Sequence, residues 1–194
     1  MITASDISKG SNVGLGIKEF YADKTILITG TTGFVGKVIL EKFIRAMPNF
    51  RKIFVLIRAK KNMSLEQRLE STIFKSEIFA PLFKQKPDLL PELRRKIVPI
   101  AGDLIVDKLG LSAEDRATVC EEADIIINSA ASVSFDEPLL DAIQINYFGC
   151  QRMLQLAKEC RKLLCYTHVS TAYVNSNILG NPKVDEKVYD LPGN

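Results

Sequence analysis

Gly30, Gly33 and Gly36 stand in the run KTILITGTTGFVG at residues 24–36, directly behind a short apolar stretch. Glycines at this G-x-x-G-x-x-G spacing clear side chains from a backbone that something must approach closely. One glycine at a strand end permits a tight turn, a second admits a pyrophosphate, and a third lets the following helix pack on the sheet. The helix N-terminus then offers unpaired N–H groups and partial positive charge to phosphate oxygens. Strand-like residues precede the motif and a helical period follows it, which is the context that gives it meaning. The chemistry expected here is the binding of a dinucleotide.

Four further places carry side chains suited to such a ligand. The run KIFVLI at 52–57 leads into Arg58, with Lys60 and Lys61 behind it, where an NAD site would place Asp or Glu on the ribose hydroxyl. A guanidinium there suits the 2′-phosphate of NADPH, which it can grip with a bidentate fork. Asp103, in AGD at 101–103, is placed to accept a hydrogen bond from the adenine amino group or simply to close a strand-end turn. Ala130 and Ala131, in NSAA, are small where a cofactor would cross the strand ends. Ser170 and Thr171, in HVSTAYVN at 168–175, bring two hydroxyls to the place expected for the nicotinamide, where they can hydrogen-bond a substrate carbonyl. His168, the sole histidine, is expected to be a packed strand residue. Asn146, polar among apolar neighbours, is expected to bond the fourth strand.

These positions need a scaffold that brings five strand ends together. Apolar runs at 25–29, 52–57, 96–102, 123–130 and 163–170 lack strict alternation, as strands buried on both faces do. Between them lie helical periods at 34–47, 64–79, 112–122 and 136–162, with Ser64 and Gln67 at capping-box spacing and Pro138 in a first turn. The alternation predicts an α/β fold, a Rossmann-like doubly wound parallel sheet of order 3-2-1-4-5, truncated after the fifth strand. Residues 1–22 read as an arm, and 23–194 as a partial dinucleotide-binding domain. The segment APLFKQKPDLLPELRR at 80–95 carries three prolines and reads as an irregular insertion, and the tail from Asn175 reads as loop.

The 194 residues suffice for one domain with a core. Hydrophobic residues are 46% and charged residues 25%, an ordinary globular mix. A net charge of +3 without a basic run argues against a nucleic-acid partner. The cysteines at 120, 150, 160 and 165 make no C-x-x-C pair and no zinc spacing with the histidine, so no metal site is expected and free thiols in a reducing compartment are. No signal peptide is visible and no apolar run approaches the ~18 residues of a membrane span.

The motif TGTTGFVG resembles the extended short-chain dehydrogenase/reductase pattern. Together with KIFVLIRAKK, KIVPIAGDL, INSAASVSFDEPLLDAIQIN, HVSTAYVN and VDEKVYDLP it resembles the eukaryotic alcohol-forming fatty acyl-CoA reductases, from about residue 20 onward. The resemblance implies NADPH-dependent reduction of a long-chain acyl-CoA to a fatty alcohol, with two hydrides and a bound aldehyde between them. It implies that Gly30, Thr31, Gly33, Phe34 and Gly36 hold the pyrophosphate, that Arg58 takes the 2′-phosphate, and that Asp103 lies at the adenine. Thr171 would match the catalytic Ser/Thr, with Ser170 beside it. Localisation at a peroxisomal or endoplasmic reticulum membrane is implied on the same ground.

One part of the family pattern is not found. Its tyrosine donates a proton to the carbonyl, and a lysine four residues on lowers the tyrosine pKa. Here Tyr21, Tyr147, Tyr166, Tyr173 and Tyr189 are followed at that distance by Thr25, Gln151, Ser170, Asn177 and Gly193. The expectation is therefore a cofactor-binding part without its Tyr-x-x-x-Lys helix, its acyl-binding region or a C-terminal domain. Two other readings stay open: an extended dehydrogenase acting on a different carbonyl or sugar nucleotide, and a non-catalytic NADPH-binding or interaction protein. The fifth strand would be an unprotected edge, which invites self-association.

Overall fold

The computed structural model describes residues 16–134, 136–175 and 183–190. Five strands, β1 (Thr25–Thr29), β2 (Lys52–Ile57), β3 (Ile97–Ala101), β4 (Ile125–Asn128) and β5 (Cys165–His168), pair in parallel in the order β3-β2-β1-β4-β5. This is the order that the alternation of strands and helices predicts.

Both faces of the sheet are apolar because both are covered. On one face Ile26 and Ile28 pack with Ile53, Val55, Ile97 and Ile125 under helix α2 (Phe34–Ala46), which contributes Leu40, Phe43 and Ile44. On the other face Leu27, Phe54, Ile100 and Ile126 pack under Val119, Met153 and Leu156. Alternate residues of one strand thus enter opposite cores. Full burial of each such side chain contributes about 1.5–3 kcal/mol. The arm reaches this core as well. Its helix α1 (Ile17–Tyr21) sets the Tyr21 ring edge-on to Phe43 at 4.9 Å, and residues 1–15 lie outside the described residues.

Between β2 and β3 one helical expectation is refined and one irregular segment is corrected. The run at 64–79 opens as α3 (Leu65–Leu69) on a true capping box, with Ser64 Oγ accepting from the Gln67 N–H and Gln67 reaching back to the Ser64 N–H. It then widens into a π turn at Glu70–Phe74 and ends in a 3₁₀ turn. The proline-bearing segment at 80–95 is not irregular. It forms α4 (Ala80–Gln85) and α5 (Leu89–Lys96), burying Leu82 and Leu93. Pro81 and Pro91 fall in first turns, where a missing N–H costs no intrahelical bond. Beyond β3 come α6 (Ala113–Glu122), capped by Ser112, and α7 (Leu139–Ile143), which continues through a π turn into α8 (Gly149–Glu159). No helix among the described residues is long and apolar enough to cross a membrane.

The amino edge of the sheet is fixed by Asp124. It is 8% exposed, accepts from the Thr25 N–H at 2.8 Å and meets the Arg51 guanidinium at 3.2 Å. Arg51 is half-exposed, so the ion pair itself contributes little. The buried backbone donor matters more, because leaving it unpaired costs about 1–3 kcal/mol. Asp124→Ala is therefore expected to lower the urea midpoint by an amount equivalent to about 2 kcal/mol, while Arg51→Ala costs less than half of that. Equal losses for the two variants would contradict this division.

Candidate functional site

All the candidate residues lie just beyond the carboxyl ends of the strands, in the spatial order of the sheet. Asp103 follows β3, Arg58 follows β2, the glycine turn follows β1, Ala130 and Ala131 follow β4, and Ser170 and Thr171 follow β5. In an open parallel sheet this edge, at the switch of strand order beside β1, is where ligands bind.

The three glycines do different work. Gly30 has φ 76°, and a Cβ there would stand 2.8 Å from the Ser129 carbonyl carbon and oxygen. Gly36 presses α2 onto the turn so closely that a Cβ would lie 2.2 Å from Gly30 O. Gly33 is exposed and meets only Gly30 O, at 3.3 Å. The fold needs the first two bare. The third is bare toward solvent, in front of a helix that no side chain caps, whose first N–H groups have no intrahelical partner. Thr31 is fully buried beside it, and its Oγ1 has no hydrogen-bond partner among the described residues. An exposed bare backbone, free N–H donors and an orphaned hydroxyl fit a pyrophosphate.

A hydrogen-bond chain ties β1 to β4 and β5 beneath this turn. Thr29 Oγ1 accepts from the Ser129 N–H at 3.1 Å and the Ala130 N–H at 3.0 Å, and donates to Asn128 Oδ1 at 2.7 Å. The buried Asn128 amide then lies 3.3 Å from His168 Nδ1 and donates toward Cys150 Sγ at 3.6 Å. Burial raises the Cys150 thiol pKa, against the smaller opposing effect of that amide. Sequence reasoning missed Thr29 and Asn128 as a unit. Each polar side chain at the end of an apolar strand was the available signal.

Other positions differ from expectation. His168 is exposed at the end of the edge strand β5 rather than packed within the sheet. Asn146 bonds the loop after β4 rather than the strand. Its amide grips both the N–H and the carbonyl of Ser132, at 2.9 and 3.1 Å. The Asp103 carboxylate accepts from the Ile105 N–H at 3.2 Å, a local turn bond that leaves its second oxygen for another donor. Ser170 and Thr171 are exposed, and Thr171 Oγ1 accepts from the Tyr173 N–H at 3.2 Å.

Arg58 is exposed, and its carbonyl accepts from the Arg68 guanidinium on α3. A bridge between Lys60 and Met63 folds the intervening loop back on itself. Among the described residues Arg58, Lys60, Lys61 and Arg68 pair with no carboxylate, whereas Arg45, Arg51, Lys52, Arg94 and Arg116 each do. The end of β2 is thus a concentration of positive charge with no carboxylate partner among the described residues. No group of three or more potential metal ligands occurs among the described residues.

A family model for NAD-binding domains, described as male sterility protein, matches residues 28–193. The chain belongs to the male sterility protein family. Among curated members with related sequence, fatty acyl-CoA reductase 1 of Xenopus laevis is 38% identical over 178 residues, which is 92% of this chain and 33% of that protein. Fatty acyl-CoA reductase 1 of Arabidopsis thaliana is 42% identical over 160 residues, 81% of this chain and 33% of that protein. The chain therefore spans about a third of the length of the curated relatives it matches. Among solved structures, the reductase domain of a non-ribosomal peptide synthetase from Mycobacterium tuberculosis superposes with a TM-score of 0.60 at 30% identity, covering 79% of this chain and 34% of that one. The male sterility family match begins within β1 and so takes in the whole glycine turn and every candidate position after it.

Proposed function

We propose that this chain forms the NADPH-binding part of a reductase that converts long-chain fatty acyl-CoA to fatty alcohol. The observation that carries the cofactor assignment is the unneutralised cation cluster beyond β2, beside a glycine turn open to a pyrophosphate. Support for the substrate class comes from the names of the relatives, which are fatty acyl-CoA reductases. When bound, NADPH supplies hydride. The chain's own residues bind and orient it. Free N–H groups at the start of α2 meet the pyrophosphate, and Arg58 meets the 2′-phosphate. The Asp103 carboxylate is free to accept from the adenine amino group. Small side chains at Ala130 and Ala131 leave space at the strand ends. The exposed Thr171 and Ser170 hydroxyls donate to a thioester or aldehyde oxygen as negative charge develops there.

The chain has no tryptophan, so nicotinamide fluorescence can be followed without indole emission. Parallel titrations are expected to show NADPH binding tighter than NADH. A preference for NADH, or no binding of either, would overturn the cofactor reading. With palmitoyl-CoA added, residues 1–194 are expected to bind NADPH without oxidising it, since none of the five tyrosines has lysine four residues on. Acyl-CoA-dependent NADPH oxidation by these residues alone would show that another group donates the proton.

A further inference from the structure

The opposite, amino edge of the sheet holds a pair of thiols that cofactor binding does not use. Cys120 lies in the last turn of α6, and Cys160 is the residue at which α8 ends. The main chain joins the two sites directly, with the Arg161 N–H donating to the Cys120 carbonyl at 2.9 Å. Cys160 Sγ points back toward α6, 3.9 Å from the Val119 carbonyl, and donates to the Leu156 carbonyl at 3.3 Å. The Val119 carbonyl belongs to the peptide that joins Val119 to Cys120, so Cys160 Sγ lies against the backbone that carries Cys120. A disulfide needs Cα atoms roughly 4.4–6.8 Å apart. A direct main-chain bond between the segments that carry the cysteines is the kind of contact that supplies such a spacing. Cys120 also lines an open cleft of about 750 Å³ together with Arg116, Glu159 and Arg161. A small reagent can therefore reach it.

We propose that Cys120 and Cys160 are a redox pair that closes to a disulfide by exchange with a low-molecular-weight disulfide such as oxidised glutathione. Cys120 reacts first. Burial and then Glu159 raise its pKa, and Arg116 and Arg161 offset only part of that, so its place on the cleft wall, which Cys160 does not share, decides the order. Its sulfur bonds one glutathione sulfur, and the other glutathione leaves as a thiolate that takes up the Cys120 proton. Cys160 then attacks the Cys120 sulfur of the mixed disulfide, and the second glutathione leaves with the Cys160 proton. Two protein thiols are oxidised to one disulfide, and one glutathione disulfide is reduced to two thiols. Burial holds Cys160 at about 12, with Cys120 as the next cause. Conversion of Cys120 to a mixed disulfide removes that second cause, which eases the closing step.

The bridge would staple the end of α6 to the end of α8, just before the chain enters β5. Its site is at the far edge of the sheet from the glycine turn. Closure is therefore independent of whether NADPH binds.

The test is incubation of the native 194-residue chain with excess oxidised glutathione, followed by intact mass and a non-reducing peptide map. The expected product has lost two hydrogens and yields one peptide joining Cys120 to Cys160. Cys160→Ser is expected to stop at a single glutathione adduct on Cys120, and Cys120→Ser to leave Cys160 as a thiol. Circular dichroism of both variants checks that serine preserves the fold. The proposal falls if Cys120 and Cys160 stay reduced in the native chain. It falls equally if modification is confined to Cys150 or Cys165, or if the bridge forms only in denaturant.

Discussion

Gly36→Ala is expected to destabilise the chain by about 3 kcal/mol or more, whereas Gly33→Ala, three residues earlier, leaves the fold standing and removes the dinucleotide. Helix propensity alone points the other way, since Ala is favoured over Gly by about 1 kcal/mol inside a helix. Sterics win at Gly36 because the atoms a Cβ would meet are all backbone: Gly30 O at 2.2 Å, Gly30 C at 2.5 Å and Thr31 Cα at 2.8 Å. None of these can turn aside as a flexible side chain could. Relief requires α2 to lift from the turn, which uncovers Leu40, Phe43 and Ile44. A loss of that size lowers the melting temperature by roughly 6–12 °C in a chain this long. At Gly33 the backbone is extended, with φ −87° and ψ 175°, so alanine adds no strain in the backbone dihedrals. The added methyl meets one carbonyl at 3.3 Å and otherwise faces solvent. Its melting temperature should stay within about 2 °C of the parent. Its NADPH affinity should fall at least tenfold, because the methyl occupies the surface a pyrophosphate must approach. A Gly36→Ala variant that melts with the parent would refute the close-packing account. A Gly33→Ala variant that binds NADPH normally would move the phosphates elsewhere.

These contrasts also mark how far the sequence could be read. The strands were legible because Ile26, Leu27 and Ile28, or Phe54, Val55 and Leu56, are apolar on both sides, and only a sheet covered on both faces uses such runs. The glycine turn was legible from its spacing. What the spacing could not show is that Gly36 and Gly33 are bare for different reasons, one internal to the fold and one external. The prolines at 81, 87 and 91 misled because a proline is read as a breaker, and its harmlessness depends on where the helix starts. Asn128 was hidden for a related reason. An asparagine ending an apolar strand gives no sign in sequence that Thr29, 99 positions earlier, will hold its oxygen and leave its amide to face His168 and Cys150. Such long-range pairing is fixed by strand order, and strand order is a property of the whole sheet. His168 was expected inside the sheet, but β5 is its edge and the ring is exposed.

Arg58→Ala is expected to weaken NADPH binding by about tenfold to a hundredfold and to leave NADH binding unchanged within about twofold, since a charge-assisted bond contributes about 1.5–3 kcal/mol. The selectivity arises because the two cofactors differ only by the 2′-phosphate, and Arg58 is the first residue beyond the buried end of β2. Arg68 supports it from below by holding the Arg58 carbonyl, and the Ser64–Gln67 capping box fixes the start of the helix that carries Arg68. Lys60 and Lys61 lie in the folded-back loop, where a compact ammonium on a flexible stem adds charge but no fork geometry. Arg58→Lys should therefore recover only part of the loss. Because the whole cluster is exposed or half-exposed and lacks internal counter-ions, the NADPH preference of the parent chain should shrink as salt is raised through the range where the Debye length falls from about 10 Å toward 3 Å. The measurement is a pair of fluorescence titrations at low and high salt for the parent and both variants. Equal weakening of NADPH and NADH by Arg58→Ala would show that the guanidinium shapes the loop rather than reading the phosphate. No weakening of either would place the phosphate on Lys60, Lys61 or Arg68.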